Sequence, residues 1–169
     1  VTCHNQHIYL TELCSYISEC KNRGWRFEVI ILDSSDNEYS PLIECKYVRI
    51  PNLGPSVARN HGASLSTKEW LLFCDADDFF NPRVFEVFER NSLVKENNLI
   101  CFEFIRVQNK NGIYSKAVEC LNNLGKDQKV KIGKIDSPIY FINHFRPVHA
   151  VIIRRQVFES ISFDSEQWY

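Results

Sequence analysis

A chain of 169 residues, 44% hydrophobic and 24% charged, is long enough to bury the core of one domain. Its formal net charge of -1 leaves no basic footprint for a polyanion, so nucleic acid is not an expected partner. Seven cysteines, Cys3, Cys14, Cys20, Cys45, Cys74, Cys101 and Cys120, form an odd set with no C-x-x-C pair; they read as reduced, buried thiols, against a disulfide-stapled secreted scaffold or a zinc site and in favour of a cytoplasmic location.

The chain opens at Val1, contains no methionine and starts inside what reads as a strand, so it is expected to be a piece of a longer protein. No run is long and apolar enough to span a bilayer, and no signal peptide is visible. After the strand tail Val1 to Cys3, Ile8, Leu10, Leu13, Cys14 and Ile17 recur at helical spacing and predict a helix to Cys20, with Gly24 as its stop. Phe27 to Leu32 predicts a second strand, ending in polar Asp33-Ser34-Ser35-Asp36. A third, Cys45 to Ile50, alternates Cys45, Tyr47 and Arg49 against Lys46, Val48 and Ile50 and stops at Pro51. A helix from Ser56 through Leu65 precedes the apolar strand Trp70-Leu71-Leu72-Phe73-Cys74, and Pro82 sits in the first turn of a helix reaching about Asn97.

Leu99 to Val107 predicts a further strand, and the turn Asn109-Lys110-Asn111-Gly112 would return Ile113 to Val118 antiparallel to it. Glu119 to Pro138, where lysines alternate with glycine and apolar residues, reads as a surface excursion. Ile139 to Phe145 then predicts a short helix, and Val148 to Ile153 a strand ending in Arg154 and Arg155. Strands alternating with helices make this a single α/β domain over residues 1–169, with a mixed sheet.

The chemistry gathers where strands end. The Trp70 strand runs into Asp75-Ala76-Asp77-Asp78, and open α/β sheets place ligands at the carboxyl ends of their strands. With one small residue between them, Asp75 and Asp77 can reach one hard divalent ion and the oxygens of a phosphate bound to it. The bland reading is a solvated, turn-forming acidic loop. Two strands that both finish in oxygen-rich loops suggest one shared mouth.

Between those loops lies Gly54-Pro55-Ser56-Val57-Ala58-Arg59-Asn60-His61-Gly62-Ala63. In this order the elements resemble the nucleotide-sugar-binding domain of family 2 glycosyltransferases, the GT-A fold. The likeness covers nearly all of the first half of the chain and, more loosely, its last twenty or so residues. It implies a Rossmann-like three-layer α/β/α domain with a mostly parallel central sheet. Residues 1–107 would be the nucleotide-sugar-binding half and 108–169 a partial acceptor-side half.

The resemblance also implies roles. Thr2 and His4 match the segment that contacts the nucleobase, His4 replacing the usual aromatic. Asp33 and Ser34 stand where the family often carries an acidic pair, so Asp33 would cap the strand mouth or bind the base, and Ser34 would replace the side chain that usually does so. Arg59 would turn its planar fork to base or phosphate oxygens, with Asn60 and the helix start adding hydrogen bonds. Asp75 would hold the ribose or a metal-bound water, and Asp77 would ligate Mn²⁺ or Mg²⁺ bridging the diphosphate. Near the end, Ile161 and Ser162 replace the glycines of a Gly-Gly-Phe-Asp loop completed by Phe163 and Asp164. The general base is expected in an acidic pair after Tyr169, with neither Asp164 nor Glu166 a safe substitute.

The implied activity is inverting transfer of a sugar from a nucleotide-diphosphate donor, with UDP-sugars favoured, to a glycan or lipid-linked acceptor in surface or capsular polysaccharide synthesis. The location would be cytoplasmic, at the inner face of the membrane through parts outside this chain. A non-catalytic nucleotide-sugar-binding or assembly module is the alternative. A nucleotidyltransferase fits less well, because no Gly-rich basic loop follows the first strand.

Overall fold

A computed structural model describes residues 1–80, 83–90, 98–102, 130–133 and 151–165. Strand β1 (Thr2–Cys3) is followed by helix α1 (His7–Asn22), β2 (Ile30–Asp33), β3 (Lys46–Arg49) and α2 (Pro55–Leu65). Then come β4 (Trp70–Leu72), α3 (Arg83–Arg90), β5 (Leu99–Phe102), β6 (Val130–Gly133), β7 (Val151–Arg154) and α4 (Arg155–Ile161).

The sheet is mixed. Strands β1, β2 and β3 form a parallel ladder, whereas β4, β7, β5 and β6 pair antiparallel in that order. The two parts are stitched by a parallel bridge between Thr2 and Asp75: Thr2 N–H donates to the Cys74 carbonyl at 3.1 Å, and Ala76 N–H donates to the Thr2 carbonyl at 2.9 Å. The chain just past β4 therefore lies beside β1, and the ends of β1, β2 and β4 share one edge.

Period-two alternation assigns the faces. Cys3, Val29, Ile31, Cys74 and Ala76 pack with Leu10, Leu13, Cys14, Ile17 and Cys20 of α1 on one face. Ile100 and Ile152 continue that face toward Phe85 and Phe88 of α3. On the other face, Leu71, Leu99, Val151 and Ile153 meet Ala63 of α2 and Phe158 of α4. Helices on both faces make three α/β/α layers. Gly62 lets α2 settle on β2, since a Cβ there would lie 2.9 Å from Cδ2 of the buried Leu32.

Local signals set the boundaries. Helix α1 ends in the paired bonds of a Schellman motif, Gly24 N–H to Lys21 and Trp25 N–H to Cys20 carbonyls, with Gly24 at φ 98° as the stop its sequence predicts. Ile8, expected on the apolar stripe, is instead 77% exposed. At 100° per residue it points away from the Leu10, Leu13 and Ile17 line. One expectation needs correcting: the stretch Glu119 to Pro138 contains strand β6, antiparallel to β5. The described part of β5 has β6 on one side and β7 on the other. The turn at Asn109 to Gly112, the segment Ile113 to Val118 and the helix predicted over Ile139 to Phe145 lie outside the described residues. No helix among the described residues is long and apolar enough to cross a membrane.

Candidate functional site

Because Leu71, Phe73 and Asp75 alternate onto the α2 face, the Asp75 carboxylate emerges beneath that helix. Arg59 Nη2 donates to both of its oxygens, at 2.8 and 2.7 Å, and Thr2 Oγ1 donates to Oδ1 at 2.5 Å. Three residues from β1, α2 and the end of β4 thus converge on one ion pair, with Arg59 15% and Asp75 32% exposed. The Arg59 guanidinium also lies 5.5 Å from the centre of the Phe163 ring.

Asp77 stands on the same turn, which Asp78 N–H closes on the Asp75 carbonyl at 3.0 Å. It is exposed and accepts from Gln6 Nε2 at 3.2 Å. Asp75 is engaged on both oxygens, whereas Asp77 is open to solvent and offers a carboxylate oxygen, a donor type that suits Mn²⁺ or Mg²⁺.

Asp33 lies under the site. It is fully buried and accepts from Ser35 N–H at 2.9 Å, His7 Nε2 at 2.9 Å and Tyr47 O–H at 2.5 Å, and from the Ser35 hydroxyl; Arg49 Nη1 stands 3.5 Å away. Burial alone would raise this carboxyl, but the bonds from Ser35, Tyr47 and His7 outweigh it and hold it near about 2, below the ordinary 3.8. A nucleobase would have to break these bonds to reach it. Of the two roles expected for Asp33, these bonds are those of a cap of the strand mouth. Cys3, His7 and Asp33 place potential ligand atoms within 4.8 Å of one another, but the Asp33 oxygens already carry these hydrogen bonds.

Ser34 and His4 meet at the rim above it. The exposed His4 holds Nδ1 at 2.9 Å from the Ser34 carbonyl oxygen and 3.3 Å from Ser34 Oγ, while its Nε2 lies 3.4 Å from Asn52 Nδ2. Asn5 locks the two loops: its N–H donates to Ser35 Oγ at 2.7 Å, and its side chain exchanges bonds with Asp36 at 2.9 and 3.0 Å. Asn60 departs from expectation. Its amide is bonded to the backbone of Phe163, donating to the carbonyl and accepting from the N–H, both at 2.9 Å.

The structure thus joins Thr2, Arg59 and Asp75 directly, sets Asp77 beside them, and places His4 with Ser34 on the β1–β2 side. Sequence reasoning did not find His7, Ser35, Tyr47 or Asn52. The alternation of β3 held the one usable signal, since it turns Tyr47 and Arg49 to the same face.

An open α/β/α sandwich with a carboxylate-bearing strand end, bridged by an arginine from the preceding helix, defines a GT-A domain. The family model for glycosyl transferase family 2 matches residues 1–162, and the chain belongs to that family. Solved structures of TarS from S. aureus share the fold: the 1–349 segment superposes with a TM-score of 0.64 at 20% identity, over 98% of this chain and 49% of that one. Its complex with UDP gives 0.63 at 18%, over 98% and 49%, and its complex with UDP-GlcNAc 0.61 at 18%, over 96% and 47%. The chain therefore spans about half the length of these structures. No curated protein sequence gives a significant match.

Proposed function

We propose that this chain is the donor-binding part of a metal-dependent, inverting glycosyltransferase that uses a UDP-sugar. The observation that carries the reading is the convergence of Thr2 and Arg59 on Asp75, with the open carboxylate of Asp77 on the same turn. UDP and UDP-GlcNAc in the TarS complexes favour a uridine donor by analogy.

The residues divide the work. His4 and Ser34 receive the base, with Asp33 fixing the strand end below them and Thr2 keeping Asp75 oriented toward the ribose. Arg59, partly buried over Phe163, offsets charge that develops on the departing diphosphate, a preorganised cation being worth more in a sheltered site than in water. Asp77, with Asp75 beside it, would hold Mn²⁺ or Mg²⁺, which when bound supplies further charge neutralisation at the phosphates. A carboxylate from the acidic pair expected after Tyr169 takes the acceptor proton. The acceptor is a glycan or lipid-linked glycan of a surface or capsular polysaccharide, and the work is done in the cytoplasm at the inner face of the membrane. A non-catalytic nucleotide-sugar-binding module would use the same site without that base.

Calorimetry tests the reading. UDP should bind the chain in Mn²⁺ and bind much more weakly with chelator, and it should outcompete ADP and GDP. Absence of UDP binding, or equal binding with and without the ion, contradicts the assignment.

A further inference from the structure

Helix α2 carries a second polar device one residue after Arg59. The Asn60 amide pairs with both backbone groups of Phe163, 103 positions away, as a strand neighbour would. An amide side chain is suited to this, offering a donor and an acceptor on one short, rigid group. The bonds are not needed to attach α4 to α2, because Ala63, Leu71 and Phe158 already pack there. They fix one particular loop conformation. In it Ser162 sits at φ 34° and ψ 171°, costly for a residue with a Cβ, and the Phe163 ring lies against Phe73, Phe158 and the Arg59 guanidinium.

Topology decides what this loop faces. Since β7 runs antiparallel to β4, α4 begins beside Glu69, whose carbonyl accepts from Arg155 N–H at 2.8 Å, and runs back to the edge where β4 ends. The loop from 162 to 164 thus arrives next to Arg59 on the β7 side of Asp75, whereas His4, Ser34 and Asn52 lie on the β1, β2 and β3 side. A nucleotide with its base at His4 and Ser34 and its diphosphate at Asp75 and Asp77 leads its sugar toward the Phe163 loop.

We propose that Asn60 is a positioning residue for donor-sugar recognition, pinning the Phe163 backbone so that residues 162 to 164 form a wall of the sugar subsite beside the Arg59–Asp75 pair. The inference rests on the nucleotide-sugar reading above. It predicts a split between nucleotide and nucleotide-sugar affinity, which a merely structural asparagine would not produce.

The experiment compares UDP with UDP-GlcNAc, UDP-glucose and UDP-galactose by calorimetry in Mn²⁺, for the native chain, Asn60→Ala and Asn60→Asp. The native chain should bind one of these UDP-sugars more tightly than UDP. Asn60→Ala should keep UDP affinity within about twofold while losing about tenfold for that sugar nucleotide, the scale of a lost hydrogen-bond pair. Asn60→Asp keeps the acceptor for Phe163 N–H and loses the donor to its carbonyl, so it should show the same split and serves as the test should the alanine variant not fold. UDP binding with no preference for any of the three sugars, or variants that weaken UDP and UDP-sugar equally or not at all, overturn the role of Asn60 while leaving the nucleotide site standing. A native chain that binds no uridine nucleotide overturns both.

Discussion

A single nitrogen of Arg59, Nη2, reaches both carboxylate oxygens of Asp75, at 2.8 and 2.7 Å, and so ties helix α2 to the end of the strand that carries the acidic turn. The Arg59 Nε is buried without a hydrogen-bond partner among the described residues, so the guanidinium is held by this pair and by the Phe163 ring. Removing either charge leaves the other in a sheltered site. Arg59→Gln and Asp75→Asn are each expected to cost about 1–3 kcal/mol, and the double variant about as much as either alone, because the two act as one unit. Urea denaturation of the four proteins measures this; simple additivity would show that the pair is not coupled.

Asp77 should behave in the opposite way. It is exposed and accepts from Gln6, so Asp77→Asn should leave stability within about 0.5 kcal/mol of the native value. The same change should abolish the gain in UDP affinity on adding Mn²⁺. A variant that keeps the full metal response would move the cation to another residue.

Asp33 gives the fold a dependence on acid. Its carboxyl titrates at about 2 in the folded chain and near 3.8 when unfolded, so the folded state favours the ionised form. The stabilisation, about 2 kcal/mol, is complete above pH 3.8 and is lost as pH falls toward 2. Asp33→Asn should remove that portion of the acid sensitivity and lower stability at neutral pH, because Tyr47, His7 and Arg49 lose the anion they face. Denaturation curves between pH 2 and 7 test it; parallel pH profiles for variant and native chain would place the acid-sensitive group elsewhere.

The legible parts of this chain were those in which a local pattern forces a local structure. Gly24 stops α1, the Leu10 to Cys20 spacing gives its buried stripe, and alternation through Leu71, Phe73 and Asp75 aims the carboxylate at α2. Strand β6 was not legible, since its pairing with β5 joins segments far apart in sequence and the alternation of Val130, Lys131 and Ile132 does not say which strand they pair with. For the same reason the side chains that enclose Asp33 were missed: His7 comes from α1 and Tyr47 and Arg49 from β3, and only folding brings them to one carboxylate. Asn60 was read as a ligand contact because Asn beside Arg on a helix start suits phosphate oxygens. Its true partner is 103 positions away, beyond the reach of any local pattern.

Ser162 offers the last test, because it occupies a backbone conformation at φ 34° that suits glycine. Strain of this kind costs about 1–3 kcal/mol, and a glycine would remove most of it while adding about 0.5–1 kcal/mol of chain entropy to the unfolded state. The expected balance for Ser162→Gly is a net stabilisation of about 0.5–2 kcal/mol, or a few degrees in the melting midpoint for a chain of this size. Gly24→Ala is the matching control. Its φ of 98° disfavours a Cβ although no atom lies within 4 Å of one, so any loss of stability there is conformational, and about 1 kcal/mol is expected. Calorimetric melts should therefore move in opposite directions for the two variants. A lower midpoint for Ser162→Gly would mean that the serine side chain contributes more at this turn than its backbone strain costs.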